Sequence, residues 1–210
     1  MSGRLFVIAA PSGAGKTSLV KGVLAHESNL RVCVSHTTRA KRPNEIDGRD
    51  YYFIDVPTFK ALIVADGFLE YASVFDNFYG TSRAALAEAL GRGHDVILEI
   101  DWQGARQVRE RTRDATSGRA GCTTVFVLPP SRDELERRLR GRGTDNATAI
   151  ARRLRNAIDD MSHYNEFDYV IINDDFERAV ADLQRILVGP ANDLLASRPT
   201  LEPLRAELLG

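Results

Sequence analysis

Cysteine is scarce in this chain, and its charges nearly cancel. Two cysteines occur in 210 residues, and 28 basic against 29 acidic residues leave a formal net charge of -1. Because Cys33 and Cys122 each lie in a stretch that favours a strand, we expect small core residues rather than a disulfide bridge or a zinc site. The balanced charge argues against nucleic acid or an acidic membrane as a partner.

A long apolar run is also missing. Near the N-terminus only residues 5–10 are continuously apolar, far short of the roughly 20 residues that cross a membrane and too short for a signal-peptide core. With 43% hydrophobic residues, the chain is still able to bury one substantial core. We therefore expect a cytoplasmic globular protein with no membrane partner.

A phosphate-binding turn follows the first apolar stretch. The P-loop pattern asks for Gly, four arbitrary residues, then Gly-Lys-Ser/Thr, and here only the first Gly is replaced, by Ala10. Backbone N–H groups of such a turn and the start of the next helix bind anions. We expect Lys16 to reach the outer phosphates of ATP and Thr17 to bind Mg²⁺. The predicted ATP-binding turn comprises Ala10, Pro11, Ser12, Gly13, Ala14, Gly15, Lys16 and Thr17.

A second phosphate-chemistry signal is an apolar run, residues 96–100, that ends at Asp101. P-loop enzymes place the carboxylate that holds Mg²⁺ at the end of such a buried parallel strand. We assign this role to Asp101. Glu99 has either the same role or that of an ordinary solvated residue.

Apolar and turn patterns predict an α/β protein with a parallel sheet covered by helices on both faces, which together with the phosphate-binding turn indicates a P-loop fold. Residues 35–43 are polar and basic, so we expect them outside the core, and residues 114–121 read as a surface loop. The tail either docks as a short helix or serves contacts between subunits. The predicted parts are a core of 3–34, 82–137 and 156–188, an inserted α+β lobe of 35–81, a helical lid of 138–155 and a tail of 189–210.

Arginines are concentrated in the predicted lid. Arg142 lies between two glycines, a setting that suits a lid closing over a triphosphate to neutralise transition-state charge. Arg138 and Arg153 either join it or belong to a solvated helix face.

The inserted lobe carries groups suited to a second substrate. Guanidinium and phenol groups suit a phosphate monoester, and this set is Arg39, Arg42, Tyr51 and Tyr79. A carboxylate and hydroxyls match the donors and the acceptor of guanine, whereas adenine presents the reverse pattern. This second set is Ser35, Glu70 and Thr81.

Ordered motifs over nearly all of residues 3–188 resemble those of the bacterial-type guanylate kinases. They are Ala10–Thr17, Ser35–Arg39, Gly48–Phe53, Phe68–Tyr71, Tyr79–Thr81, Leu98–Gly104 and Gly141–Thr144. The resemblance implies a three-part kinase that converts ATP and GMP to ADP and GDP with Mg²⁺. It gives the two lobe sets to the GMP phosphate and the guanine.

The resemblance also implies roles outside the lobe. It places Arg142 and Arg153 at the transferring phosphoryl group and Asp101 close to both GMP and the metal. Asn173 matches a family position to which we assign no chemistry. The family itself contains Ala-Pro-Ser-Gly at the turn, so Ala10 is no departure from it.

Two alternatives remain open from the residues. Guanylate-kinase-like domains of membrane scaffolds bind phosphorylated peptides without catalysis, and related P-loop kinases use other acceptors such as a ribose bisphosphate. We expect alignment, electrostatics and closure of both lobes to drive transfer without a general base, because a GMP phosphate is already a nucleophile. The expected partners are ATP and GMP, with a homo-oligomer possible.

Overall fold

The computed structural model describes residues 3–74, 76–113, 121–141 and 147–210, with side chains from residue 150 in the last range. The chain forms two compact units. The first unit comprises Met1–Val7, Asn29–Leu98 and Gln103–Thr123, and the second comprises Ile8–Ser28, Glu99–Trp102 and Thr124–Gly210.

The strands are short, and most central ones are apolar throughout. They are β1 Leu5–Ala9, β2 Leu30–Val32, β3 His36–Thr37, β4 Tyr52–Phe53, β5 Phe68–Val74, β6 Asn77–Ser82, β7 Asp95–Glu99, β8 Thr123–Leu128 and β9 Tyr169–Ile172. One sheet has the order β2-β7-β1-β8-β9, with β2 parallel to β7 and β8 parallel to β9. β1 is buried along its whole length, as expected of a strand covered on both sides. The predicted α/β fold with a largely parallel sheet is confirmed.

Helices follow most strands. They are α1 Lys16–Leu24, α2 Val56–Val64, α3 Arg83–Gly91, α4 Trp102–Arg111, α5 Arg132–Arg140, α6 Ala147–Ser162, α7 Phe176–Val188 and α8 Glu202–Leu209. Side chains of Asp55, Ser82, Ser131 and Asp175 cap four of these helices by accepting a backbone N–H. α1 instead has Gly15 as its N-cap residue, so no side chain caps its start.

A second sheet lies within the first unit and has the order β4-β3-β6-β5. β3 runs parallel to β4 and antiparallel to β6, and β5 runs antiparallel to β6. Phe59 packs against Phe68 at 4.5 Å between ring centroids and against Phe78 at 5.4 Å. Thr37 is fully buried, and its hydroxyl donates to the Phe78 carbonyl at 3.0 Å. The expectation that residues 35–43 all lie outside the core was therefore wrong at Thr37, because a strand two residues long is too short to show a pattern.

The C-terminal segment packs on the second unit. Leu201 and Leu208 are buried, and Arg132 donates from Nε to the Leu208 carbonyl at 2.7 Å. The short docked helix of the two alternatives is thus present as α8. No described helix has the length and apolar character needed to cross a membrane. The predicted loop at 114–121 lies outside the described residues except for Gly121.

Candidate active site

The glycine-rich turn of residues 10–17 lies between β1 and α1 in the second unit. Gly13 and Gly15 have φ angles of 96° and 94°, in the left-handed region that glycine adopts without steric cost. A Cβ at Gly15 would also lie 2.4 Å from Nδ2 of Asn173, so this position excludes a side chain twice over. The turn has the form that a phosphate cradle requires.

Two side chains of the same unit, Asn173 and Arg138, hold this turn in place. Asn173 is buried and donates from Nδ2 to the Ala14 carbonyl at 2.7 Å. Arg138 donates to the same carbonyl at 3.3 Å and to the Asn173 carbonyl at 2.9 Å. Glu134 holds the Arg138 Nε at 2.6 Å. Sequence reasoning left Asn173 without chemistry, and the structure shows that it fixes the main chain of the turn.

Lys16 and Thr17 each contact the end of β7. Nζ of Lys16 donates to the Ile100 carbonyl at 2.8 Å, and the Thr17 hydroxyl donates to the Glu99 carboxylate at 3.1 Å. Glu99 therefore lies within hydrogen-bonding distance of the predicted metal-binding hydroxyl. The pairing favours a role for Glu99 beside Thr17 over that of an ordinary solvated residue.

Asp160 is an acidic group that the sequence did not single out. It lies on α6, and its carboxylate accepts a hydrogen bond from Trp102. Burial, and next the neighbouring Asp101 carboxylate, raise its pKa to about 6, while Lys16 opposes this rise. Asp101, Asp160 and Lys16 thus share one electrostatic environment.

The oxygen donors of this unit suit a hard divalent cation. No cluster of three or more His, Cys, Asp or Glu side chains able to hold a metal is found among the described residues. Mg²⁺ usually takes one or two carboxylates and completes its shell with water and substrate phosphates. The Thr17 hydroxyl and the carboxylates of Glu99 and Asp101 fit that pattern.

An arginine cluster lies in the first unit. The Arg39 guanidinium binds the Glu45 carboxylate through two hydrogen bonds of 2.6 and 3.0 Å, and lies 5.5 Å from the ring centroid of Tyr51. Tyr51 and Tyr79 meet edge to face at 5.9 Å. The Arg42 backbone N–H donates to Glu45 at 2.8 Å, and its guanidinium is 4.0 Å away. The four predicted phosphate-binding residues therefore do lie together.

Glu45 is the part of this cluster that sequence reasoning missed. The Arg39 hydrogen bond holds the pKa of Glu45 below its usual range, so the carboxylate is ionised near neutral pH. The two hydrogen bonds to Glu45 show that the Arg39 guanidinium is able to bind an anion in a bidentate manner. The sequence signal that could have identified Glu45 is its position three residues after Arg42, close enough in the chain for an ion pair.

The predicted guanine-reading residues meet on the second sheet. Glu70 is 2% exposed and Thr81 is fully buried, and the Thr81 hydroxyl donates to the Glu70 carboxylate at 2.6 Å. Burial, and next the charge of Glu70, raise the pKa of Cys33 to about 11. The antiparallel register pairs His36 with Gly80, and in the chain Ser35 precedes His36 and Thr81 follows Gly80.

The structure describes only part of the predicted lid, residues 138–155. Arg142 lies outside the described residues, and Arg153 is half-buried on α6. Their catalytic roles stay predictions.

A glycine-rich turn that ends in Lys-Thr, next to a strand that ends in acid, is typical of the P-loop class of nucleoside-triphosphate-binding proteins. The family model for guanylate kinase matches residues 2–189. The chain therefore belongs to the guanylate kinase family, which confirms the predicted resemblance and the predicted enzyme class, a phosphotransferase.

Relatives support this membership over the full length. A guanylate kinase of Alkalilimnicola ehrlichii is 51% identical over 210 residues, with 100% of both chains covered. One of Chromohalobacter salexigens is 52% identical over 208 residues, covering 99% of this chain and 94% of the relative. The crystal structure of guanylate kinase from Anaplasma phagocytophilum matches with a TM-score of 0.72 at 32% identity, covering 97% of this chain and 93% of that one.

Proposed function

We propose that this protein transfers the γ-phosphoryl group of ATP to the phosphate of GMP, releasing ADP and GDP. Its membership of the guanylate kinase family supports the overall reaction. The observation that carries the choice of base is the buried Glu70 carboxylate bonded to Thr81. We call residues 10–17, with Arg138, Asn173, Glu99 and Asp101, the donor site.

The acceptor site comprises Ser35, Arg39, Arg42, Tyr51, Glu70, Tyr79 and Thr81. Guanine has N–H donors at N1 and N2, and Glu70 accepts from them, whereas the Ser35 hydroxyl donates to O6. The Thr81 hydroxyl donates its one proton to Glu70 and thereby orients the carboxylate that reads guanine. Adenine lacks those donors, so the buried Glu70 carboxylate would not gain the hydrogen bonds that guanine supplies. Sites that bind a polar group in this way reject an analogue lacking it by roughly 10⁴-fold or more.

The arginine cluster binds the phosphate of GMP in this proposal. Arg39 already holds the Glu45 carboxylate in a two-pronged contact, which a phosphate reproduces. Arg42 is largely exposed and supplies a second positive charge. Tyr51 and Tyr79 add phenol hydroxyls on the same surface. Before GMP binds, the Glu45 carboxylate holds the Arg39 guanidinium in place.

At the donor site the backbone N–H groups of the turn and Lys16 bind the ATP phosphates. Thr17 and Asp101 would hold Mg²⁺, and Glu99 accepts a hydrogen bond from the Thr17 hydroxyl. When bound, Mg²⁺ supplies charge neutralisation at the phosphates. Arg138 supports the turn, and Arg142 and Arg153 neutralise charge on the transferring group. No general base is needed, because a GMP phosphate oxygen is itself the nucleophile.

A coupled assay for ADP formation with GMP, AMP, CMP and UMP tests this function directly. We expect kcat/KM for GMP to exceed that for AMP by about 10⁴-fold. Equal use of AMP would contradict the role of Glu70. Absence of turnover with all four nucleotides would favour a binding module or an acceptor of another class. Chelation of Mg²⁺ is expected to abolish turnover.

Cellular context stays a prediction. We expect the enzyme in the cytoplasm, where its substrates are abundant, and a homo-oligomer is possible. Light scattering of the purified protein measures the oligomeric state.

A further inference from the structure

Glu70 lies on an edge strand. β5 is the last strand in the order β4-β3-β6-β5, so among the described residues one side of its backbone has no strand partner. A binding group must be held to about 0.5 Å to act selectively, and edge strands are the least constrained part of a sheet. Contacts from outside the sheet are therefore expected to fix this strand.

Gln107 on α4 supplies one such contact. Its Oε1 accepts from the Tyr71 backbone N–H at 3.2 Å, and its Nε2 donates to the Tyr71 carbonyl at 2.8 Å. A side-chain amide carries the same donor and acceptor as a peptide group. Gln107 thus completes the pairing of the residue after Glu70 in the way that a neighbouring strand would.

Arg111, one turn further along α4, holds the residues before Glu70. The pairing of β5 with β6 shifts between Phe68 and Glu70, so Leu69 is the extra residue of a β-bulge. Nη1 of Arg111 donates to the Phe68 carbonyl at 2.9 Å and to the Leu69 carbonyl at 2.7 Å. One guanidinium group therefore binds both carbonyls at the bulge.

The bulge decides where the Glu70 side chain points. Successive side chains of a strand alternate between faces, so a slip of one residue would move Glu70 to the opposite face. With the bulge in place, Glu70 pairs with Thr81 and their side chains are hydrogen-bonded. Whatever stabilises the bulge stabilises this pair.

We propose that Gln107 and Arg111 are positioning residues for Glu70 and thereby set the preference for guanine over adenine. This inference rests on the proposed function. The two side chains fix the backbone on either side of Glu70. Arg111 is exposed over much of its side chain, so water replaces part of its contact when it is removed. We therefore expect a measurable loss of selectivity rather than loss of the fold.

The test compares Arg111→Leu and Gln107→Met with the wild type, with Arg113→Leu as a matched control because Arg113 is an exposed arginine two residues further on. Each test variant is expected to lower kcat/KM for GMP about tenfold, with kcat/KM for AMP and KM for ATP within about twofold. The control is expected to change none of these values. Thermal melting of each variant checks folding, and Arg111→Lys and Gln107→Glu replace any variant that does not fold.

A double-mutant cycle with Glu70→Gln separates positioning from general destabilisation. If Arg111 acts through Glu70, Arg111→Leu in the Glu70→Gln background should change the ratio of GMP to AMP use by less than about twofold. Full additivity, or equal losses with GMP and AMP, would overturn the inference. If the wild type itself does not prefer GMP, the proposed function fails first, which distinguishes the two failures.

Discussion

The proposed donor site and the proposed acceptor site are built from different chemical groups. The donor site presents main-chain N–H groups of one continuous turn, and its nearby side chains, such as Asn173 and Arg138, bind that main chain. The acceptor site presents side chains, and those side chains bind one another, as in Glu70 with Thr81 and Arg39 with Glu45. A backbone site accepts any nucleotide phosphate, whereas a side-chain site selects one base.

The largest effect is expected from Lys16→Ala in the donor site. Loss of its ammonium removes positive charge from the outer phosphates as they react, so kcat should fall by about 10³-fold. KM for GMP should change by less than about twofold, since the acceptor site is intact. Steady-state kinetics measure both values, and Lys21→Ala, an exposed lysine in the last turn of α1, is the control. A fall in kcat of less than about tenfold would contradict the role of Lys16.

Glu70→Gln is the matching change in the acceptor site. The amide places a donor where guanine also has donors, so kcat/KM for GMP should fall about a hundredfold, while AMP use stays the same or rises. Competition assays with GMP and AMP measure the ratio. Glu88→Gln, at an exposed position on α3, is expected to be neutral. Parallel losses with both nucleotides would show that Glu70 supports folding rather than base choice.

Arg39→Ala should raise KM for GMP by about 30-fold with little change in KM for ATP. Part of this loss comes from the Glu45 carboxylate, which loses the Arg39 guanidinium as its partner and repels the phosphate. Arg39→Ala combined with Glu45→Gln should therefore recover some affinity, which a titration with GMP measures. Arg49→Ala, an exposed arginine of the same unit, serves as control. Unchanged GMP affinity in Arg39→Ala would refute the phosphate assignment.

The smallest expected effect is a pH dependence that concerns the first unit. Burial lowers the pKa of His36 from its usual 6.5, and its Nδ1 is among the buried atoms without a partner in the described residues. The unfolded chain therefore binds more protons than the folded one just below pH 6.5. The contribution of His36 to stability is present above pH 6.5 and is lost as pH falls toward the folded pKa.

Because His36 is half-exposed, solvent screens part of the effect, and we expect this loss to be smaller than the effects of the three substitutions above. Urea denaturation of wild type and His36→Phe at pH 7.5 and 5.5 measures it as a difference between the two proteins. Comparison with the variant is needed, because carboxylates with lowered pKa, such as Glu45, also lose stability in acid. An identical pH dependence in the two proteins would contradict the assignment.

The glycine-rich turn of the proposed donor site was predictable because its residues are neighbours in the chain. A turn with Gly13 and Gly15, followed by Lys16 and Thr17, is typical of phosphate binding. In the structure both glycines have the left-handed φ angles that such a turn requires. What the motif did not contain was the support behind it. Asn173 is far along the chain, and only the packed structure shows that its amide reaches Ala14.

The acceptor site was predictable in residue types and not in arrangement. The sequence suggested carboxylate and hydroxyl chemistry for guanine, but not the bond of Glu70 to Thr81, which depends on an antiparallel register. It missed Glu45, and it placed Thr37 outside the core although Thr37 is fully buried. Short strands such as β3 leave too few residues for a pattern to appear.

By itself, the sequence determined the alternation of strands and helices, the phosphate turn and the chemical groups offered to a second substrate. Each of these depends on residues close together in the chain, where φ angles, periodicity and side-chain chemistry act locally. Tertiary structure alone decided which face of β5 carries Glu70 and which side chains hold it there. A one-residue bulge and two contacts from α4 set that choice, and such long-range contacts leave no local pattern to read.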